Sequence, residues 1–118
     1  MYKRQNEGDE LDRLFIVLSG QVEVYLPRSS NRFSPVRLTI LGPCDCFGEY
    51  AFIDHRPASA TIEALEEVEV YSIRFDTLQK FLDTHHSVAS IVYRNLLSIL
   101  VKRLRATNAE LDLFTLSL

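Results

Sequence analysis

Tryptophan is absent from this chain, methionine occurs once and cysteine twice among 118 residues. Both thiols, Cys44 and Cys46, lie in Pro43-Cys44-Asp45-Cys46. A bridge between residues two apart has poor geometry, and no further thiol or imidazole lies close in sequence to complete a metal site. Free thiols are expected. Glycine and proline number four each, too few for a collagen-like or low-complexity chain. No apolar run approaches the ~20 residues of a membrane span. Positive charge is also short: 13 Lys and Arg stand against 16 Asp and Glu, for a net charge of −3. That balance argues against a dominant nucleic-acid footprint. The opening Met1 to Glu7 lacks the apolar core of a signal peptide, so a cytoplasmic location is expected.

Histidine is scarce as well. The three are His55, on a loop, and His85 and His86, at a break between helical segments. A metal enzyme built on a β-barrel wants two or more His and a carboxylate projecting inward from strands, and no nucleophile–base pairing stands at useful spacing. The chain is therefore expected to be neither an enzyme nor a metal or cofactor protein. What remains is ordinary for one globular domain, 47% hydrophobic and 25% charged, and long enough to bury a core.

The first two-thirds read as short strands. Arg13–Leu18 is apolar, Ser19-Gly20 signals a turn, and Gln21–Tyr25 alternates with period two, so that Val22 and Val24 face inward. Pro27–Pro35 is an exposed hairpin loop. Val36–Leu41, Ser59–Leu65 and Val68–Phe75 are further strands, with Glu66-Glu67 as a hairpin tip between the last two. All four glycines, Gly8, Gly20, Gly42 and Gly48, fall between strands, where positive φ is useful. The character then changes. Asp76 is a plausible N-cap for a short helix over Thr77–Thr84, with Leu78, Phe81 and Leu82 on one face. His85-His86-Ser87 interrupts it, with His85 suited to a cation role at a helix C-terminus. A long helix follows from Val88 to about Leu113, apolar at Val88, Ile91, Val92, Leu96, Ile99, Leu100 and Leu104, and widened by Leu97 and Val101. So wide an apolar face must be covered by the strands, by a partner chain, or by both. Lys102, Arg103 and Arg105 read as a solvated basic face.

Phe47-Gly48-Glu49-Tyr50-Ala51-Phe52-Ile53, then Pro57-Ala58-Ser59-Ala60-Thr61-Ile62, read as a glycine turn, a helical turn, a loop and a strand. Backbone amides gathered at such a turn suit a phosphate. The segment resembles the phosphate-binding cassette of cyclic-nucleotide-binding domains. Glu7-Gly8-Asp9-Glu10 with Leu14–Gly20, Leu41-Gly42-Pro43, and Val68–Ile73 with Phe75 and a helix resemble the same family's opening, centre and exit, in order and across nearly the whole chain. The resemblance implies a mainly β fold with C-terminal helices: a jelly-roll (double-stranded β-helix) over residues 1–75, with the cassette at 47–62, then helices over 76–118, in a single domain 1–118. With few residues before Gly8 and no helix-turn-helix after the long helix, the chain is expected to be part of a larger protein.

The resemblance also implies site roles. Gly48 is the residue whose missing Cβ lets the cyclic phosphate approach, and Glu49 holds the ribose 2′-hydroxyl. Tyr50, Phe52 and Ile53 are packing residues around the site. Ala58 occupies the position of the family's phosphate-binding arginine, a bidentate donor to an anion. The donors left are the amides of Ala51, Ser59 and Ala60 and the Ser59 hydroxyl. Arg56 is a candidate substitute, although a residue before proline is biased toward extended geometry that aims it at solvent. The expected ligand-binding set is thus Gly48, Glu49, Tyr50, Ala51, Arg56, Ala58, Ser59 and Ala60. Two functions fit: a regulatory module sensing cAMP, cGMP or a related small anion and relaying it through the last helix, or a degenerate module kept for dimerisation through residues 88–113.

Overall fold

The structure is a computed structural model that describes residues 2–117, with side chains described through residue 113; Met1 and Leu118, the ends of the expected domain, lie outside the described residues. The chain divides into two compact units, Met1–Leu78 and Gln79–Leu118, a division within a helix rather than at residue 75.

In the first unit seven strands form two antiparallel sheets. β1 (Arg4–Gln5), β3 (Val22–Leu26), β4 (Val36–Leu41) and β6 (Thr61–Ala64) make one, in the order β1-β6-β3-β4; β2 (Arg13–Ser19), β5 (Cys46–Phe47) and β7 (Glu69–Arg74) make the other, in the order β5-β2-β7. A six-residue helix α1 (Glu49–Asp54) lies between β5 and β6. Except for the β3–β4 hairpin, every strand-to-strand connection passes from one sheet to the other, and that is the jelly-roll. Between the sheets sit Tyr2, Val17, Val22, Leu41, Phe47, Ile62 and Val68, with Phe15, Val24, Ala64 and Val70 against them. Val22 and Val24 do point into this core. The Phe15 and Phe47 rings stack at 4.9 Å and Tyr2 meets Phe47 edge-on at 5.1 Å, geometries that add to burial. The Tyr2 hydroxyl donates to the Ile62 carbonyl at 3.2 Å, and burial pushes its ionisation well above the ordinary tyrosine range.

Four expectations need correction. Glu66-Glu67 is not a hairpin tip: β6 and β7 lie in different sheets, and residues 65–68 cross between them. Leu65 donates to Gln21 O at 3.0 Å and Tyr2 donates to Val68 O at 3.1 Å, fixing that crossing. Gly42 does not take positive φ; Gly8, Gly20 and Gly48 do, and the left-handed residue in the fourth turn is Cys44, at φ 74. Pro43 occupies the second position of that turn, whose Asp45 amide donates to Gly42 O at 3.0 Å, and Cys44 takes the left-handed third position of a type II turn. Two strands of two residues each, β1 and β5, escaped the sequence reading. Finally, α2 (Phe75–Thr84) and α3 (His86–Ser117) start earlier than expected. Phe75 donates to Asp12 O at 2.8 Å, which sets the start of α2. His85 alone interrupts the helices, because its carbonyl already accepts from Ala89 at 2.9 Å.

In the second unit His85 Nδ1 lies 2.9 Å from the Phe81 carbonyl, at the C-terminal end of α2. Phe81 is not buried with Leu82 but exposed, its ring stacked on His85 at 4.1 Å. Along α3 only part of the expected face is covered: Leu96 is buried, while Val88, Ile91, Leu97, Val101 and Leu104 are exposed. No helix among the described residues is long and apolar enough to cross a membrane.

Candidate functional site

Gly48 begins the cassette at φ 90, immediately before α1. A Cβ there would stand 2.8 Å from the Arg13 carbonyl oxygen of β2. The space that the missing Cβ leaves is therefore filled by the neighbouring strand, and the fold itself requires glycine. Glu49 follows as the first residue of α1 and is buried, a carboxylate where the helix end favours negative charge. Ala51 and Phe52 are buried beside it, whereas Tyr50 and Ile53 are exposed, so neither of the latter is a packing residue. Phe52 donates to Gly48 O at 3.2 Å and His55 to Ala51 O at 2.8 Å. His55 ends the helix in the left-handed region, at φ 58.

The loop that follows is fixed by its main chain. The Arg56 amide donates to Asp54 Oδ1 at 3.0 Å. Its side chain is exposed and makes no ion pair among the described residues. Ala58 is buried, and its backbone is committed twice: Gly8 donates to Ala58 O at 2.8 Å and Ala58 donates to Asp9 O at 2.9 Å. Ser59 is exposed and Ala60 buried. Thr61, fully buried, accepts from the Glu7 amide at Oγ1, 3.1 Å away. The Glu7–Gly8–Asp9 turn is thus bonded along the 58–61 segment, so the first turn of the roll and the end of the cassette form one piece.

Two side chains join this assembly that the sequence did not single out. Arg32, in the β3–β4 loop, donates from Nη2 to Glu7 Oε1 at 2.7 Å. Both partners are partly shielded. Nothing in their spacing along the chain announces the pair, because only the folded sheet brings them together. The segment and its neighbours supply group types that an anion and hydroxyl site needs: a carboxylate acceptor at Glu49, a hydroxyl donor at Ser59 and a cation at Arg32. Among the described residues no three His, Cys, Asp or Glu side chains cluster as for a metal ion.

Known proteins place this geometry. Residues 5–85 match the family described as cyclic nucleotide-binding domain. A CRP-like cAMP-activated global transcriptional regulator of Mycobacterium tuberculosis is 33% identical over 105 residues, 89% of this chain but 44% of that protein. Glutaminase 2 of Bradyrhizobium diazoefficiens is 36% identical over 108 residues, 92% of this chain and 16% of the enzyme. Among solved structures, a cyclic nucleotide-binding domain from Methylobacillus flagellatus aligns at a TM-score of 0.80 with 26% identity, over 88% of this chain and 57% of that one. The chain thus spans less than half the length of these curated relatives. The order of the strands, the cassette and the match over residues 5–85 lead to one statement: the chain belongs to the cyclic nucleotide-binding domain family.

Proposed function

We propose that this chain is a ligand-sensing module that binds cAMP or cGMP, within a larger cytoplasmic protein. The observation that carries the reading is Glu49, a carboxylate held buried at the first residue of α1 directly after Gly48. A sugar hydroxyl is a suitable donor to that acceptor, and a buried acceptor bonded to ligand discriminates strongly against analogues lacking the hydroxyl. The phosphate would be met by the Ser59 hydroxyl and the amides of Ala51, Ser59 and Ala60. Sensing requires that ligand bind one arrangement of the C-terminal helices better than another, and relay through α3 is part of the proposal. The test is a calorimetric titration of the domain with cAMP and cGMP, with Ala58→Arg alongside. Micromolar binding is expected, tightened about ten- to a hundredfold in the variant by a charge-assisted pair. Silence in both proteins overturns the reading.

A second reading has its own support. Exposed Leu97, Val101, Leu104 and Leu111 on α3 follow spacings of four and three residues, with Asn108 continuing the pattern. Such spacing suits the seam of a two-stranded coiled coil, in which a polar residue at one core position specifies register. Homodimerisation through residues 88–113 is compatible with ligand sensing, and would be the module's whole role were the pocket empty of function.

A further inference from the structure

We propose that Arg32 supplies the cation that Ala58 does not, reaching the ligand's phosphate from the β3–β4 loop. The inference rests on the cyclic-nucleotide reading above and names the residue that sets anion affinity in that site.

Two independent features bring Arg32 to the cassette. The first is sheet register. β3 and β6 are antiparallel, with Tyr25 opposite Thr61. The chain leaving β3 toward the 27–35 loop therefore emerges at the same end of the sheet as the chain entering β6, which is Ala58–Ala60. The second is the ion pair. Arg32 is held by Glu7 at 2.7 Å, and the backbone of that same turn bonds Ala58 and Thr61 through the Gly8 and Glu7 amides. The loop is also braced internally: Arg32 and Ser29 exchange both backbone hydrogen bonds, at 3.0 and 3.1 Å. The guanidinium is thus positioned rather than sweeping freely.

Three other arginines are tied to carboxylates other than Glu7: Arg4 to Glu63, Arg37 to Glu23 and Arg74 to Asp76. Arg56 is nearer in sequence, but it is exposed and its side chain makes no ion pair among the described residues. Arg32 keeps donors to spare. Nη2 goes to Glu7 and Nε reaches Ser29 Oγ at 3.4 Å, which leaves Nη1 of the five-donor fork for an anion. Glu7 would then tune the clamp, because it neutralises part of the charge that the phosphate would feel.

The experiment is a calorimetric titration with cAMP and cGMP of the wild type, Arg32→Gln, Arg32→Lys, Glu7→Gln and the double variant, with Arg37→Gln as a control for net charge. Arg32→Gln is expected to weaken binding about ten- to a hundredfold, the loss of one charge-assisted donor set. Arg32→Lys should lose less, and Arg37→Gln nothing. Glu7→Gln is expected to tighten binding a few-fold, a gain that vanishes when Arg32 is also replaced. Wild-type affinity in Arg32→Gln overturns the proposal while leaving the nucleotide reading intact. A silent wild type with binding in Ala58→Arg also overturns it, since Arg32 would then be insufficient. Silence in both removes the nucleotide reading, and the proposal with it. Equal melting temperatures across the variants separate lost affinity from lost fold.

Discussion

At Gly48 the fold and the ligand would want the same residue for different reasons. The resemblance read its missing Cβ as room for a phosphate, but the Arg13 carbonyl already stands 2.8 Å from where that Cβ would be. Gly48→Ala should therefore destabilise the domain by about 1–3 kcal/mol, from the left-handed backbone and the clash together, and denaturant unfolding without any ligand will measure it. An unchanged midpoint would return the glycine to a purely ligand-facing role. Cys44 presents the opposite case, a side chain where glycine belongs. Cys44→Gly should raise stability by up to about 1 kcal/mol, the strain of a non-glycine left-handed residue less the extra freedom of the unfolded chain; the same unfolding experiment reads it. The positive φ of Gly48 was legible from its turn, but the close carbonyl beside it and the left-handed Cys44 were not. The Arg13 carbonyl that constrains Gly48 belongs to a strand distant along the chain, and Pro43 is compatible with either hand at the residue after it, so it does not announce Cys44.

Elements were legible in proportion to their length and to how locally they are determined. β2, β3 and β4 show their apolar patterns over five to seven residues and were found within a residue or two. β1 and β5, at two residues each, carry no period to detect; they are strands only because β6 and β2 offer them an edge. The supposed β6–β7 hairpin failed for a similar reason. A Glu-Glu step between two apolar runs looks the same whether the chain folds back on its own sheet or crosses to the facing one. The crossing is held instead by Tyr2 and Gln21, and the Tyr2 hydroxyl on Ile62 adds a buried bond. Tyr2→Phe keeps the ring packing against Phe15 and Phe47 but leaves the Ile62 carbonyl short of that donor. A loss of about 1 kcal/mol is expected, seen as a lower urea midpoint with an unchanged slope.

For the molecule as a whole, the order of motifs carried the fold. Gly8-Asp9, Ser19-Gly20, Gly42-Pro43 and Gly48-Glu49 each mark a corner where the chain changes sheet or direction, and corners in sequence order specify a roll better than any single strand does. On assembly the sequence offers only a wide apolar face on the last helix. The exposed seam Leu97, Val101, Leu104 and Leu111 makes that expectation concrete. Sedimentation at tens of micromolar should give a dimer, and Leu104→Glu, placing like charges opposite each other in a parallel pair, should give a monomer. A wild-type monomer would remove the proposal of a homodimer.

One consequence follows from the way Ala58 is held. Its place in the fold is secured by its own amide and carbonyl, bonded to Asp9 and Gly8. Those two bonds do not depend on which side chain stands at residue 58, so long as the buried site can accommodate it. A lineage can therefore discard a ligand-binding side chain here and meet no folding barrier in doing so, and selection on what the pocket recognises is released from selection on whether the chain folds. At such a position what the side chain offers and what the main chain secures can change separately, the first without the second.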